Sequence, residues 1–382
     1  MTIAGFTSTG SKHPDLLFGT GDDRVPQRMV RARGCNVHAT DGRDYLDFVM
    51  ALGAVALGYG HPAVDRAVIE AVERGAIGPL SPEDELLLAS ELAAVMPWLE
   101  KVRFFKTGAE AVAAAVRIAR VATGRDRVLG CGYHGWLDWC SDANGVPIAT
   151  RALYGALPFN DAGRAVDAIR NAGDRLACVV VEPVVDEAPS ADWLAALRTE
   201  TARTGAVLIF DEIKTAFRVA LGGATEKWGV QPDLTVLGKA LANGYPLAAV
   251  GGRGALMDHV DQTWISSTMA TEFVSLAAAR ATVAVMRTHD VPRHLHDIGS
   301  YLLAGLQRIT TRYPASGVRA MGIPEMCYLR YANEAMSERV AAACAAQGLL
   351  FKRTAYNFVS LAHDVAAVDR ALATLDQVLA TC

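Results

Sequence analysis

A chain of 382 residues, 51% apolar and 20% charged, is too apolar for disorder and long enough for one large α/β domain with a smaller companion, or for two similar domains. A formal net charge of -4, with no basic surplus and no long charge block, excludes a nucleic-acid-binding surface and a charged interaction tail. Seven scattered cysteines without a CxxC pair exclude a zinc ribbon and a disulfide framework and fit free thiols in a reducing compartment. The first residues, MTIAGFTSTGSKHPD, lack a basic stretch followed by an apolar one, and no run reaches membrane-spanning length. The expectation is a cytoplasmic protein whose partners are small molecules and a second copy of itself, with no nucleic acid and no membrane.

In chain order, VHATDGRDYLDF (37–48) reads as two short extended pieces around the turn pair Asp41-Gly42. HPAVDRAVIEAVERG follows with apolar residues at helical spacing, Pro62 in the first turn and Gly75 just past the end. Ser81 is the expected N-cap of the next helix, with Pro82 at its first position and an acidic first turn. KVRFF then reads as a strand and the stretch from Ala109 to Gly124 as a helix. Strand, small-residue turn and helix recur at RVLGCGYHG, ACVVVEPV, AVLIFDEI and LTVLGKAL, which predicts a mostly parallel sheet covered on both faces. Past Ala281 the pattern turns to an amphipathic helix, a strand (EMCYLRYA) and a terminal helix, a smaller α+β domain. The expected division is residues 1–45 as a segment joining the small domain, 46–281 as the large domain and 282–382 as the small one.

The chemistry-bearing residues stand at the predicted strand ends. In such sheets ligands bind at the carboxyl ends of the strands. Thr107-Gly108-Ala109 opens a helix with residues small enough for an anion to approach its free amides, a weak signal alone. Tyr133 offers a stacking ring, and Glu182 and Asp211 place two carboxylates at neighbouring ends, costly unless a cation answers them. Lys239 follows an apolar strand among Leu237, Gly238, Ala240 and Leu241, where a lysine can lose its proton and attack a carbonyl. An anion cradle, a stacking ring, an acid and a poised lysine together describe a pyridoxal phosphate site.

The order of these motifs resembles the class III (fold type I) pyridoxal phosphate aminotransferases, and within them the branch containing glutamate-1-semialdehyde 2,1-aminomutase. The resemblance runs from Arg31 to Asp376 through FFKTGAEAVAAAVRIARVATGRDRV, GYHG, VEPV, FDEIKTAFR and PDLTVLGKALANGYPLAAVGG, with Lys239 lying 28 positions after Asp211. It implies a large domain with a mostly parallel seven-stranded sheet plus a smaller α+β domain. It also implies that Lys239 forms the Schiff base and shuttles the proton, that Asp211 holds the pyridine nitrogen protonated, and that Gly108 and Ala109 bind the phosphate through their amides. Tyr133 and Ile213 would lie on the two ring faces, Glu182 in the network behind the ring, and Thr268 at the phosphate of the neighbouring subunit, in a homodimer with interface sites.

The chain also departs from the family pattern. Asn243 stands where a glycine is expected, and Thr271, Glu272 and Phe273 replace the usual Gly-Asn-Pro or Gly-Asp; Glu272 reads either as a solvated interface residue or as facing the substrate. FKRTAYNFVSLAH lacks the aminomutase's acidic residue, with Asn357 the nearest polar group, and Arg24, Arg28 and Arg31 are candidate carboxylate clamps. His134 reads as a structural hydrogen-bonding group or a catalytic one. Trp136 and Trp139 line either the pocket or, the safer reading, the subunit interface. The resulting expectation is an aminotransferase passing an amino group by a ping-pong cycle from an amino-acid donor to an aldehyde or ketone acceptor, in a specialised-metabolite or amino-sugar-like biosynthetic pathway. The alternatives are an aminomutase, in which one molecule gives and receives the group, and a non-catalytic binding protein on the same scaffold.

Overall fold

The computed structural model describes residues 3–19 and 24–381. By internal contacts it divides into two compact units, Met1–Pro62 with Asp290–Cys382, and Ala63–His289. In chain order the strands are β1 (Met29–Arg33), β2 (Asn36–Ala39), β3 (Asp44–Asp47), β4 (Lys101–Phe105), β5 (Arg127–Cys131), β6 (Tyr154–Ala156), β7 (Leu176–Val181), β8 (Val207–Asp211), β9 (Leu234–Leu237), β10 (Ala248–Gly252), β11 (Arg319–Ile323), β12 (Met326–Arg330), β13 (Leu349–Leu350) and β14 (Asn357–Phe358).

The Ala63–His289 unit is built on a seven-stranded sheet of order β4-β10-β9-β8-β7-β5-β6. Every pairing is parallel except those of β10, which runs antiparallel to both β4 and β9. The expected mostly parallel seven-stranded sheet is thus present. Its central strands are apolar throughout because both faces are covered. Alternation assigns Val180, Ile209 and Val236 to the face that packs on Val112, Ala115 and Ala119 of the Gly108–Thr123 helix. Val179, Leu208 and Phe210 take the opposite face, against Ile169, Trp193 and Leu197 of the Ala162–Ala172 and Ala191–Thr204 helices. Each such side chain contributes about 1.5–3 kcal/mol by leaving water, so the sheet is a firm base for residues at its edge.

The Gly108–Thr123 helix starts at a capping box: the Glu110 amide donates to Thr107 Oγ1 (3.2 Å) while the Thr107 amide donates to Glu110 Oε2 (2.9 Å). It ends at Gly124 in the left-handed conformation. The helix expected to begin at an Ser81 cap instead spans Glu83–Val95 with Pro82 in the cap position, because the Ser81 hydroxyl is spent on the Glu85 carboxylate.

In the other unit, β1, β2 and β3 form an antiparallel meander with β13 parallel to β3, and β2 and β3 are the hairpin read from Asp41-Gly42. β11, β12 and β14 form a second antiparallel sheet beside the helices Val291–Arg312 and Val365–Ala380. After β3 the chain makes a left-handed turn through Met50, Ala51 and Leu52, at φ 44°, 50° and 61°. Such turns cost L-residues roughly 1–2 kcal/mol each. The Asp47 carboxylate offsets part of this by accepting from the Val49 amide (2.7 Å), the Met50 amide (3.2 Å) and the Tyr59 hydroxyl (2.7 Å). Among the described residues no helix is long and apolar enough to cross a membrane.

Candidate active site

Strand β8 delivers its last residue, Asp211, to the same face as Ile209 and the Gly108–Thr123 helix. The side chain is 2% exposed; Oδ2 lies 2.9 Å from His134 Nδ1 and Oδ1 accepts from the Ile213 amide at 3.2 Å. A carboxylate has about four lone-pair positions, so acceptor capacity remains. His134 is equally buried, lies against Trp139 with centroids 6.2 Å apart, and its Nε2 has no hydrogen-bond partner. It is therefore a positioning contact of Asp211, which favours the structural reading of this histidine. The next acid, Glu212, points the other way and accepts from the Ala224 and Thr225 amides (2.8 Å each), capping the helix Gly223–Trp228. Two adjacent acids thus serve opposite sides of one strand end.

Glu182, just past β7, is consumed by two partners. Oε2 accepts from the Tyr133 amide (3.0 Å) and Oε1 pairs with Lys214 Nζ (3.0 Å), both side chains being 9% exposed. Glu182 thereby braces the loop Gly132–Gly135, whose Tyr133 ring is left 71% exposed. Gly132 is at φ 105° against the Glu182 side chain, where any side chain would collide.

The first amides of the Gly108–Thr123 helix have no partner within the helix and point out of its positive end. The cradle is closely lined. A Cβ on Gly108 would come within 2.5 Å of Ile213 Cδ1, and one on Gly135 within 2.7 Å of Ala109 Cβ. Ile213 also lies in van der Waals contact with the Cβ position of Gly238, the residue before Lys239. Gly108, Ala109, Tyr133, Glu182, Asp211, Ile213 and Lys239 therefore fall into one contiguous cluster.

Lys239 opens a short 3-10 turn after β9 at φ 46°, the strained left-handed region for a residue with a side chain. Desolvation pushes its ammonium down to about 8, the Lys214 charge acts in the same direction, and Glu182 and Asp211 oppose it. An amine so placed has an accessible neutral form near physiological pH. Sequence reasoning passed over Lys214; its only signal was a cation three residues beyond Asp211.

Thr268 stands apart, exposed on the 3-10 turn Thr268–Thr271. Glu272 is largely buried: it caps the helix Phe273–Thr288 through the Val274 and Ser275 amides and pairs with Lys106. Trp139 is buried rather than at an interface, whereas Trp136 is 74% exposed. Asn243 sits at φ 47°, a conformation asparagine tolerates better than most residues, which explains how it replaces a glycine. In the other unit, Asn357 is buried and holds both the Lys352 amide (2.6 Å) and its carbonyl (3.1 Å), a structural role. Arg28 donates to the Phe6 carbonyl and lies over its ring.

Comparison with known proteins accords with this arrangement. The family model described as aminotransferase class-III matches residues 18–380. A glutamate-1-semialdehyde 2,1-aminomutase of Thermomicrobium roseum is 35% identical, the match covering 93% of this chain and 91% of that protein. Among solved structures, the pyridoxal-phosphate internal-aldimine form of the FumI protein of Sphingopyxis sp. MTA144 superimposes with a TM-score of 0.93 at 26% identity, covering 99% of this chain and 93% of the other. A β-phenylalanine aminotransferase from Variovorax paradoxus gives 0.88 at 26% identity, covering 99% and 92%. With a family model spanning nearly its whole length and a relative at 35% identity, the chain belongs to the class III aminotransferases.

Proposed function

We propose that this protein binds pyridoxal 5'-phosphate and uses it to move an amino group on a small molecule, with the transfer made within one molecule, as in the aminomutases. The residues fit the cofactor. The cradle at Gly108 and Ala109 presents free amides where a phosphate would sit, and the buried Asp211 has spare acceptor capacity for a protonated ring nitrogen. Ile213 and the exposed Tyr133 offer apolar surfaces for the two ring faces, with Glu182 holding the Tyr133 loop from behind. Thr268 would reach the phosphate of a second subunit, so the working form is a homodimer. The observation that carries the reading is Lys239: a lysine among apolar neighbours whose amine is pushed down to about 8 beside an acid at a strand end.

When bound, the cofactor supplies an electron sink for the bond pair left at the amine-bearing carbon. The protein's own residues do the rest. Lys239 would hold the aldehyde end and accept and return the substrate proton; Asp211, fixed by His134 and the Ile213 amide, would keep the ring nitrogen charged; the cradle would hold the phosphate.

The 35% identity to a glutamate-1-semialdehyde 2,1-aminomutase over nearly the full length of both chains favours intramolecular transfer, and this reverses the order expected from sequence, which put an external donor first. Transamination between two molecules remains the second reading. It is supported by the likeness to a β-phenylalanine aminotransferase and by Asn357, a buried structural group in the segment that lacks the aminomutase's acid. Incubating the purified holoenzyme with glutamate-1-semialdehyde alone separates the two: product formed without any second amino compound supports the mutase, and turnover only after an amino donor is added supports the transaminase.

A further inference from the structure

Lys106 lies two residues before the Gly108–Ala109 cradle, separated from it by the helix cap Thr107, and Glu272 directly follows the Thr268–Thr271 turn. The two residues, 166 positions apart, form an ion pair of 2.7 Å with side chains only 14% and 16% exposed. Glu272 does double service. Its Oε2 accepts from the Val274 amide (2.6 Å), while Oε1 accepts from both the Ser275 amide (2.9 Å) and Lys106. Burial acts to raise its carboxyl, yet these donors hold it below the usual carboxylate range.

The same region is tied at its other end, where Arg103 of β4 donates to the Ile265 carbonyl and Arg117 of the Gly108–Thr123 helix donates to the Trp264 carbonyl (3.0 Å). The chain from 265 to 272 contains no strand and no helix longer than the four-residue 3-10 turn. Beside the buried Ile265 and the backbone bond from the Phe273 amide to the Ala76 carbonyl (2.7 Å), these side-chain ties hold it against the cradle, and the Lys106–Glu272 pair is the one adjoining both the cradle and the turn. Because Glu272 already neutralises it, Lys106 acts through position and not as an anion ligand.

We propose that the Lys106–Glu272 ion pair is a positioning clamp that registers the Gly108–Ala109 cradle, which serves its own subunit's phosphate, against the Thr268–Thr271 turn, which serves the partner's, and so sets the affinity of both sites of the dimer for the phosphate of the cofactor. The inference rests on the pyridoxal phosphate reading and names a device within it.

The test measures dissociation constants of pyridoxamine phosphate and of pyridoxamine, which lacks the phosphate, for the cofactor-free protein by fluorescence titration, alongside melting temperatures. Three variants divide the roles of the pair. Lys106→Met breaks it and leaves the helix cap; Glu272→Asp keeps a capping carboxylate too short to reach Lys106; Glu272→Gln removes the charge. Each should weaken pyridoxamine phosphate roughly tenfold, as expected for a coupled pair, and leave pyridoxamine within about twofold. The double variant Lys106→Met with Glu272→Gln should be no weaker than either single one. Unchanged phosphate-ligand affinity in Lys106→Met and Glu272→Asp, or equal weakening of both ligands, would overturn the clamp while leaving the cofactor reading intact. Failure of the unaltered protein to bind pyridoxamine phosphate would overturn the cofactor reading and the clamp with it.

Discussion

Replacing Lys239 by methionine should stabilise the cofactor-free protein. Desolvation pushes the ammonium down to about 8 in the folded chain, below the 10.5 usual for a lysine in water, so the unfolded chain binds the proton more tightly. A group whose folded pKa is depressed adds its full stability only above the unfolded value and loses it as pH falls, so at pH 7 the charged lysine is a liability of about 3 kcal/mol. At pH 9.5 the folded lysine is already neutral, and the liability shrinks to roughly half that. Methionine keeps the apolar stem and removes the charge, while the backbone strain at φ 46° is retained by both residues and cancels. Urea unfolding of the cofactor-free protein and its Lys239→Met variant at the two pH values checks this. The variant should be more stable at pH 7, with the gap narrowing at pH 9.5. A variant less stable than the parent, or a gap that does not change with pH, would refute the claim that Lys239 is held in a site hostile to its charge.

Other perturbations probe the frame around the site. Gly135→Ala, at φ 103° and against Ala109, should lower the urea midpoint by the equivalent of about 2 kcal/mol and weaken retention of an added phosphate ligand, since the strain lies on the cradle itself. Glu212→Gln should cost about 2–3 kcal/mol by chemical denaturation, because an amide group cannot accept from all the donors that now converge on the carboxylate. In the other unit, Gly299→Ala would drive a methyl group into the Pro324 carbonyl and should destabilise by roughly 2–3 kcal/mol despite alanine's better helix propensity. Burial pushes His363 down to about 4, so the stability it confers is present above pH 6.5 and lost as pH falls towards 4. The advantage of the parent over His363→Gln should therefore fall by about 3 kcal/mol between pH 7 and pH 4, as read from unfolding at both values.

The parallel core was legible because covered strands must be apolar on both faces, and ACVVV and AVLIF have no other economical use. The chemistry-bearing residues were legible for a related reason: each interrupts such a run at the end where a ligand can reach it, as Asp211 does after Phe210. What escaped were features made by tertiary proximity. Lys106 and Glu272 are far apart in sequence, so neither announces its partner, and Glu272 read as a loop residue with two possible fates. Lys214 owes its place in the site to Glu182, 32 residues earlier in the chain, a proximity that no local pattern announces. The left-handed turn at Met50, Ala51 and Leu52 carries no glycine until Gly53, and it is held by tertiary contacts such as the Asp47 carboxylate together with its own backbone bonds. β10 was hidden because AAVGG reads as equally apolar in either direction, and its antiparallel pairing is decided by the short return from Lys239.

Lys239 is the residue proposed to bond pyridoxal phosphate. Borohydride reduction of the holoenzyme, followed by peptide mass spectrometry, tests this directly because another lysine, the buried Lys214, stands beside Glu182 as an internal competitor. The expected result is a phosphopyridoxyl mass on Lys239, with Lys214 unmodified. Label on Lys214, or a colourless protein that takes up no label from excess pyridoxal phosphate, would contradict the assignment.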